Sequence, residues 1–270
     1  CEKQGLARAL VITGLDRENA DYAGTMDAIR EAFGAKCVPV VIPIPGNAGV
    51  VDVLGSKTVP DAVARQVEAA KTQMVELAAE TDDALIEKFL GGQELSADEL
   101  AKGLRAAVIK GGLIPVFCCF ALKDAGISEL LEGISRLFPS PLDLPRRDAA
   151  GKAIAVSPES PFVAQVWRTV NDSFVGQLAF ARVFGGTLKS DSEVYNPNKK
   201  AKERIGTLLL VNGRKQTPVE SATAGDIVAI TVIEELKISD TLCDPLQVEA
   251  LPPLTVDEPT VSMTFQVNTS

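Results

Sequence analysis

Basic side chains are concentrated in one short region of an otherwise acidic chain. The protein has 270 residues, and its 27 Lys and Arg against 36 Asp and Glu give a net charge of −9. The chain as a whole therefore does not attract nucleic acid. Six cations nevertheless fall within one predicted β-hairpin, opposed only by Glu203: Lys199, Lys200, Lys202, Arg204, Arg214 and Lys215. Since such side chains bind phosphate oxygens, the group is a candidate contact for RNA, with a solvated surface as the alternative.

Histidine is absent, which excludes several kinds of catalytic site. Without imidazole there is no His-based acid–base catalysis and no Ser-His or Cys-His nucleophile. The five cysteines are odd in number and irregular in spacing, and adjacent Cys118 and Cys119 point to opposite faces of a strand. We expect reduced, buried thiols, no metal site and no catalytic residue in this chain.

Composition is typical of a soluble globular protein, with 46% hydrophobic and 23% charged residues. The length accommodates one large or two ordinary domains. No stretch reaches the about 20 apolar residues of a membrane span, and no signal peptide opens the chain. We expect a cytoplasmic protein without membrane contact.

Two apolar, β-branched runs, at 7–13 and 114–120, predict buried parallel strands. The run at 37–44 carries two prolines, which favours a short or edge strand. The residue pattern predicts helices at 20–33, at 60–79 with Pro60 at its start, at 85–90, from the capping box at 96–99 to 108, and at 127–138. In the last helix, Leu130, Leu131, Ile134 and Leu137 are expected to face inward. Strands alternating with helices indicate an α/β layer.

The pattern changes after a proline-rich linker at 139–145. Short β-rich segments separated by turn residues follow at 162–170, 178–183, 193–195, 203–210 and 227–233. They predict a closed antiparallel barrel, with Trp167, Phe174, Phe180 and Phe184 in its core. Pro252-Pro253 forms a second linker, and 259–267 begins another strand-rich unit.

Segments along nearly the whole chain resemble elongation factor G, in the order of that family. Residues 161–176 and 178–190 resemble the opening of its second domain, and 194–196, 202–206, 224–229 and 239–244 continue it. Residues 258–262 resemble the start of its third domain, and 139–143 resemble its exit from the GTPase domain.

The resemblance implies a domain layout. Residues 1–144 would be an α/β remnant of a GTPase domain, its C-terminal part, with an α+β insert at about 37–108. Residues 146–252 would be an antiparallel β-barrel of the translation-factor second-domain type, and 253–270 the start of domain III. On this layout the chain is a fragment that begins inside a domain.

The resemblance also places a guanine-reading motif after the first strand. Where the family has Asn-Lys-x-Asp, this chain has Thr13-Gly14-Leu15-Asp16. Asp16 keeps the carboxylate that accepts hydrogen bonds from guanine N1 and N2. Gly14 replaces the Lys whose stem covers the base and ribose, and this departure favours a divergent paralogue.

The family's second motif, a Ser-Ala turn after the last strand, corresponds to Phe120-Ala121-Leu122-Lys123. The Ala121 N–H is expected to reach the base oxygen, while Phe120 departs from the family's Ser. The implied guanine-binding residues of this chain are Thr13, Asp16, Ala121 and Lys123.

The phosphate loop Gly-x-x-x-x-Gly-Lys-Ser/Thr does not occur in these residues. The resemblance implies GTP or GDP with magnesium in the full-length parent and no cofactor in this fragment. Because phosphoryl transfer depends on that loop, we expect that the chain alone does not hydrolyse GTP.

The resemblance implies a ribosome-associated GTPase that drives translocation of tRNA and mRNA. Its partners would be rRNA and ribosomal proteins, and indirectly the tRNA–mRNA complex, while the fragment itself would be monomeric. Two alternatives stay open: a non-hydrolysing ribosome-binding adaptor, motivated by Gly14 and Phe120, and a ribosomal protection or release-factor-type GTPase.

Overall fold

The computed structural model of the protein describes residues 1–144, 146–172, 176–232 and 236–256. The chain divides into two compact units, Cys1–Ser140 and Pro141–Ser270. The division falls inside the proline-rich segment at 139–145. Phe174 and the strand-rich segment predicted at 259–267 lie outside the described residues.

The first unit is an α/β layer built on a parallel sheet. Strands β1 (Leu10–Thr13), β2 (Cys37–Pro39) and β5 (Ile114–Cys119) lie in the order β1-β5-β2. Every residue of β5 is buried, which explains its continuous apolar sequence. The proline-containing β2 is a short edge strand, as predicted. The hairpin of β3 (Val41–Pro43) and β4 (Val50–Asp52) follows it.

Helices connect these strands and end close to the predicted positions: α1 (Tyr22–Phe33), α2 (Ala64–Ala79), α3 (Asp83–Leu90), α4 (Ala97–Lys110) and α5 (Ile127–Leu137). The predicted capping box between Ser96 and Glu99 is formed at the start of α4. Hydrogen bonds from the Lys88 side chain and from Ser96 lower the pKa of Glu99 to about 2. Over the described ranges, no helix has the length and apolar character needed to cross a membrane.

One hydrophobic core holds the first unit together. It runs from Ile12 on β1 through Val38 and Met74 to Leu137 on α5. The residues of the predicted insert, about 37–108, therefore pack into the same core as the strands on either side of it in sequence.

The inward face of α5 differs from the predicted one. Leu137 is buried and Leu130 packs against the core, but Leu131 and Ile134 are 62% and 45% exposed. The buried stripe instead passes through Gly133, where an added Cβ would lie 2.3 Å from Phe117 Cε1. The helix approaches β5 so closely at Gly133 that its neighbours Leu131 and Ile134 turn outward.

The second unit is a closed antiparallel barrel, as predicted. Its strands are β6 (Val163–Asp172), β7 (Gly176–Gly185), β8 (Thr187–Lys189), β9 (Glu193–Asn196), β10 (Ala201–Asn212), β11 (Lys215–Val219), β12 (Ser221–Thr223), β13 (Ile227–Val232) and β14 (Thr241–Cys243). The main sheet has the order β11-β10-β13-β7-β6-β14-β9. Because β9 also pairs with β10, the sheet closes on itself, with β11 outside the ring.

Small and branched side chains, not aromatic ones, fill the barrel. On β7 the inward positions are Ala179, Ala181 and Val183, so the alternating Phe180 and Phe184 lie on the outer face. Trp167 is 42% exposed. The prediction that these three aromatic residues lie in the barrel core is therefore wrong, although Phe180 and Phe184 pack, partly buried, against smaller hydrophobic clusters outside the interior.

Four of the five cysteines are buried free thiols: Cys37, Cys118, Cys119 and Cys243. Burial raises the pKa of Cys118 to about 12, which keeps this thiol protonated and unreactive. The prediction of buried thiols is confirmed for these four and wrong for Cys1, which is exposed.

Candidate functional site

The carboxyl ends of β1 and β5 lie side by side. The strands are parallel neighbours, with Thr13 opposite Cys119. The loops that follow them therefore leave the sheet at the same edge, which is where open α/β sheets bind ligands. This pairing brings the segments 13–16 and 120–123 together although they are far apart in sequence.

The first loop is a tight turn that brings the Arg17 side chain back over Gly14. The Arg17 N–H donates to the Gly14 carbonyl at 3.1 Å. Gly14 has φ of 72°, in the left-handed region that favours glycine. The Arg17 side chain lies over Gly14: an added Cβ on Gly14 would be 3.4 Å from Arg17 Nε and 3.6 Å from its Cδ.

The second loop is held tightly against the end of β5. It contains a 3-10 helix, Ala121–Lys123, and its base is closed where the Phe120 N–H donates to the Ala125 carbonyl at 2.9 Å. Gly126 has φ of 83°, and an added Cβ there would lie 2.5 Å from the Cys118 carbonyl oxygen. These constraints fix the position of the Ala121 backbone.

Between the two loops lies a cleft of about 310 Å³, lined by Thr13, Gly14, Asp16, Arg17, Ala121 and Leu122. We call it the two-loop cleft. Over the described part of the chain, the side chains of Asp16 and Arg17 have no hydrogen-bond or ion-pair partner. The Ala121 N–H is at the first position of its 3-10 helix and has no acceptor within that helix. An acceptor, a donor and a cation thus face one space.

Three of the four guanine-binding residues expected from sequence line this cleft. Lys123 is exposed and is not among the lining residues. Phe120, the departure from the family's Ser, is only 2% exposed and lines a neighbouring groove with Tyr22 and Pro45. Its ring therefore leaves the two-loop cleft open.

The six basic residues predicted to contact RNA form two groups at opposite ends of β10. Lys199 and Lys200 precede this 12-residue strand, whereas Arg214 follows it and Lys215 begins β11. At about 3.3 Å per residue, the two groups are roughly 30 Å apart. The prediction that the six lie together is wrong, because Lys199, Lys200, Lys202 and Arg204 lie at the start of β10, whereas Arg214 and Lys215 lie at the turn from β10 to β11.

Two cations at the start of β10 already have carboxylate partners. Lys199 Nζ lies 2.9 Å from Oε1 of the buried Glu203, an ion pair without hydrogen-bond geometry. Lys202 Nζ lies 2.6 Å from Glu193 Oε1 on the adjacent strand. Lys200 and Arg204 remain exposed at this end.

A second polar surface of the barrel was not predicted from sequence. On the outer face of β6 and β7, arginines lie over aromatic rings, and we call this the aromatic–arginine face: Arg146, Trp167, Arg168, Phe180, Arg182 and Phe184. The guanidinium carbons of Arg146 and Arg182 lie 5.7 and 5.6 Å from the Phe184 ring centroid. The alternation Phe180-x-Arg182-x-Phe184 with period two is the sequence signal that identifies it.

Comparison with known proteins finds a family that the barrel resembles. Residues 161–245 match the family model described as elongation factor G domain 2. The barrel is similar to elongation factor G domain 2.

The likeness extends beyond domain 2. A crystal structure of a protein from Thermus thermophilus matches 96% of this chain with a TM-score of 0.78 and 27% sequence identity. The chain spans 40% of the length of that protein. The elongation factor G-like character expected from sequence is confirmed, as is the fold of a mixed α/β part followed by domain 2.

Proposed function

We propose that this chain is part of an elongation factor G-like GTPase that acts on the ribosome in protein synthesis. One observation carries the nucleotide half of this proposal: parallel pairing of β1 with β5 brings Asp16 and Ala121, from two separate motifs, into one cleft. The match of residues 161–245 to elongation factor G domain 2 supports the translation half.

The two-loop cleft fits a guanine base. The unpaired Asp16 carboxylate can accept two hydrogen bonds from guanine N1–H and N2–H, and adenine offers no such pair of donors on that edge. The Ala121 N–H, which lines the same cleft, would donate to the guanine O6. The proposed site therefore selects guanine because Asp16 is a hydrogen-bond acceptor and the Ala121 N–H is a donor.

The phosphate end of the nucleotide has no assigned residues in this chain. Bound GTP would supply the free energy of hydrolysis to the parent protein, with magnesium at its phosphates. The phosphate-loop motif does not occur among the 270 residues. Across the described ranges, no group of three or more His, Cys, Asp or Glu side chains is arranged to hold a metal ion. We assign base recognition alone to this chain.

Changing Asp16 to Asn tests the guanine site. The amide presents a donor where guanine also has donors, so we expect guanosine affinity to fall about tenfold or more, with adenosine affinity unchanged. Isothermal titration of guanosine and adenosine into the wild-type chain and the variant measures this.

Asp61→Asn, an exposed carboxylate outside the cleft, is the matched control. Equal affinity of the wild-type chain for guanosine and adenosine would contradict the guanine site and favour the nucleotide-free, ribosome-binding adaptor.

For the ribosome, we propose that domain 2 contacts RNA through the aromatic–arginine face. The exposed Trp167 ring and the guanidinium groups beside it can stack on bases and bind phosphates, while Phe180 and Phe184 are partly buried beneath the arginines. The two basic groups at the ends of β10 are about 30 Å apart, and the group at its start is partly neutralised by Glu203 and Glu193. The contiguous face therefore offers the larger combined surface to an RNA strand.

The double variant Arg168→Ala and Arg182→Ala should weaken binding to purified small ribosomal subunits about tenfold. The slope of log affinity against log salt concentration should also become shallower, by the amount expected for the loss of about two phosphate contacts. Co-sedimentation at two salt concentrations measures both quantities. Arg214→Ala with Lys215→Ala removes the same charge at the end of β10. If this second pair weakens binding more than the first, the contact lies at the end of β10 instead.

A further inference from the structure

Arg17 occupies the space beside Gly14 in the two-loop cleft. We propose that the Arg17 guanidinium covers one face of the bound guanine, a role that position 14 cannot fill because glycine has no side chain. This inference rests on the proposed guanine site and adds a residue that neither motif contains.

The backbone holds Arg17 in this position. Its N–H donates to the Gly14 carbonyl at 3.1 Å, and its own carbonyl accepts from the Ala20 N–H at 3.3 Å. The chain therefore reverses between Gly14 and Arg17, and the side chain returns over the turn. With Nε at 3.4 Å and Cδ at 3.6 Å from where a Cβ of residue 14 would be, Arg17 fills the start of the path that a longer side chain at position 14 would follow.

The guanidinium is also free to act on a ligand. Over the described residues no carboxylate pairs with Arg17, and its exposed side chain lines the same cleft as the equally unpaired Asp16. If the carboxylate of Asp16 binds the edge of the base, then the base plane passes beside the neighbouring Arg17. A planar, weakly hydrated cation stacks favourably on such a π face.

Leu122 supplies the apolar side of the same space. It is 95% exposed, and it enters the cleft from the second loop while Arg17 enters from the first. A flat base between the two loops would cover this leucine. An apolar group on one loop and a guanidinium on the other are both favourable contacts for the faces of a purine ring.

A phosphate contact is the competing role for Arg17, and the choice of probe separates the two. Guanosine has the base and ribose but no phosphate, whereas GDP has all three. Stacking on the base predicts that Arg17→Ala weakens guanosine and GDP by the same factor. A phosphate contact predicts a loss for GDP alone.

The experiment is titration of guanosine and GDP into the chain and its variants. Binding is measured by calorimetry or by shifts of backbone amide NMR signals. Arg17→Ala should weaken guanosine binding about fivefold, and Arg17→Lys should weaken it nearly as much because the ammonium lacks a planar surface. Arg65→Ala, an exposed arginine on α2, should leave binding unchanged.

The outcomes distinguish this inference from the guanine site itself. If Asp16→Asn weakens guanosine binding and Arg17→Ala stays within twofold of the wild-type chain, the role of Arg17 is refuted and the guanine site stands. A loss confined to GDP refutes it equally. If the wild-type chain binds no guanosine, both are refuted.

Discussion

Replacing Gly186 with alanine should destabilise the barrel by about 3 kcal/mol or more. Gly186 has φ of 68°, and an added Cβ would lie 2.6 Å from Phe162 Cα, Phe162 N and the Ser160 carbonyl oxygen. All three are backbone atoms, so no side-chain rotation relieves the clash. The Gly186 N–H also donates to the Ser157 carbonyl and to Ser160 Oγ, both at 2.9 Å, and a displaced backbone would lose these bonds.

Gly213→Ala is the matched control. Its φ of 60° imposes a similar conformational strain, but an added Cβ there meets nothing within 4 Å. We expect a loss of only about 1 kcal/mol from strain. Trp167 is the single tryptophan of the chain and lies on β6, so its fluorescence during urea unfolding reports on the barrel alone. Equal losses for the two variants would show that the backbone at Gly186 moves to accommodate a methyl group.

Local rules predicted the α/β unit well because its signals lie close together in sequence. The capping box at Ser96 and Glu99 and the uninterrupted apolar run of β5 each depend on a few adjacent residues. Barrel closure was also predictable from the regular spacing of short strands. The short strands β8, β12 and β14 were not predicted, since three residues carry too little pattern to recognise.

The failures have a common physical origin in strand register. Whether Phe180 faces the barrel interior depends on which alternating set of β7 faces inward, and the register shift on β6 between Val166 and Arg168 changes the alternation next to it. The basic residues were assigned to one cluster although the strand predicted between them at 203–210 already separates them, and β10 is longer still, at Ala201–Asn212. Neither register nor strand length is a property of single residues.

The residues of the two-loop cleft could be predicted from the sequence only in part. Asp16 and Ala121 follow apolar strands, and the resemblance to elongation factor G located both. The contribution of Arg17 could not be inferred from the motifs, because the turn that folds it over Gly14 depends on a glycine in the left-handed region. The resemblance shows that Gly14 lacks the Lys side chain of the family's motif, and the structure shows that the Arg17 side chain lies beside Gly14 instead.

In the first unit, the ion pair between the partly exposed Arg136 and the buried Asp52 should be the most sensitive polar contact. Arg136 Nη2 lies 3.1 Å from Asp52 Oδ2 and 3.4 Å from Oδ1, joining α5 to the end of β4. The Asp52 side chain is 7% exposed, whereas that of Arg136 is 31% exposed. Arg136→Ala would leave a carboxylate buried without its cation, at an expected cost of about 2 to 3 kcal/mol in the free energy of unfolding.

Circular dichroism at 222 nm during urea unfolding measures this loss, because α1 to α5 all lie within Cys1–Ser140. Lys36→Ala removes the exposed pair with Glu2, whose side chain is 71% exposed, and should cost less than about 1 kcal/mol. Adding Asp52→Asn to Arg136→Ala should recover part of the stability, since the amide carries no charge to bury. If the double variant is no more stable than Arg136→Ala, the loss comes from the packing of the arginine stem against the hairpin and not from the orphaned charge.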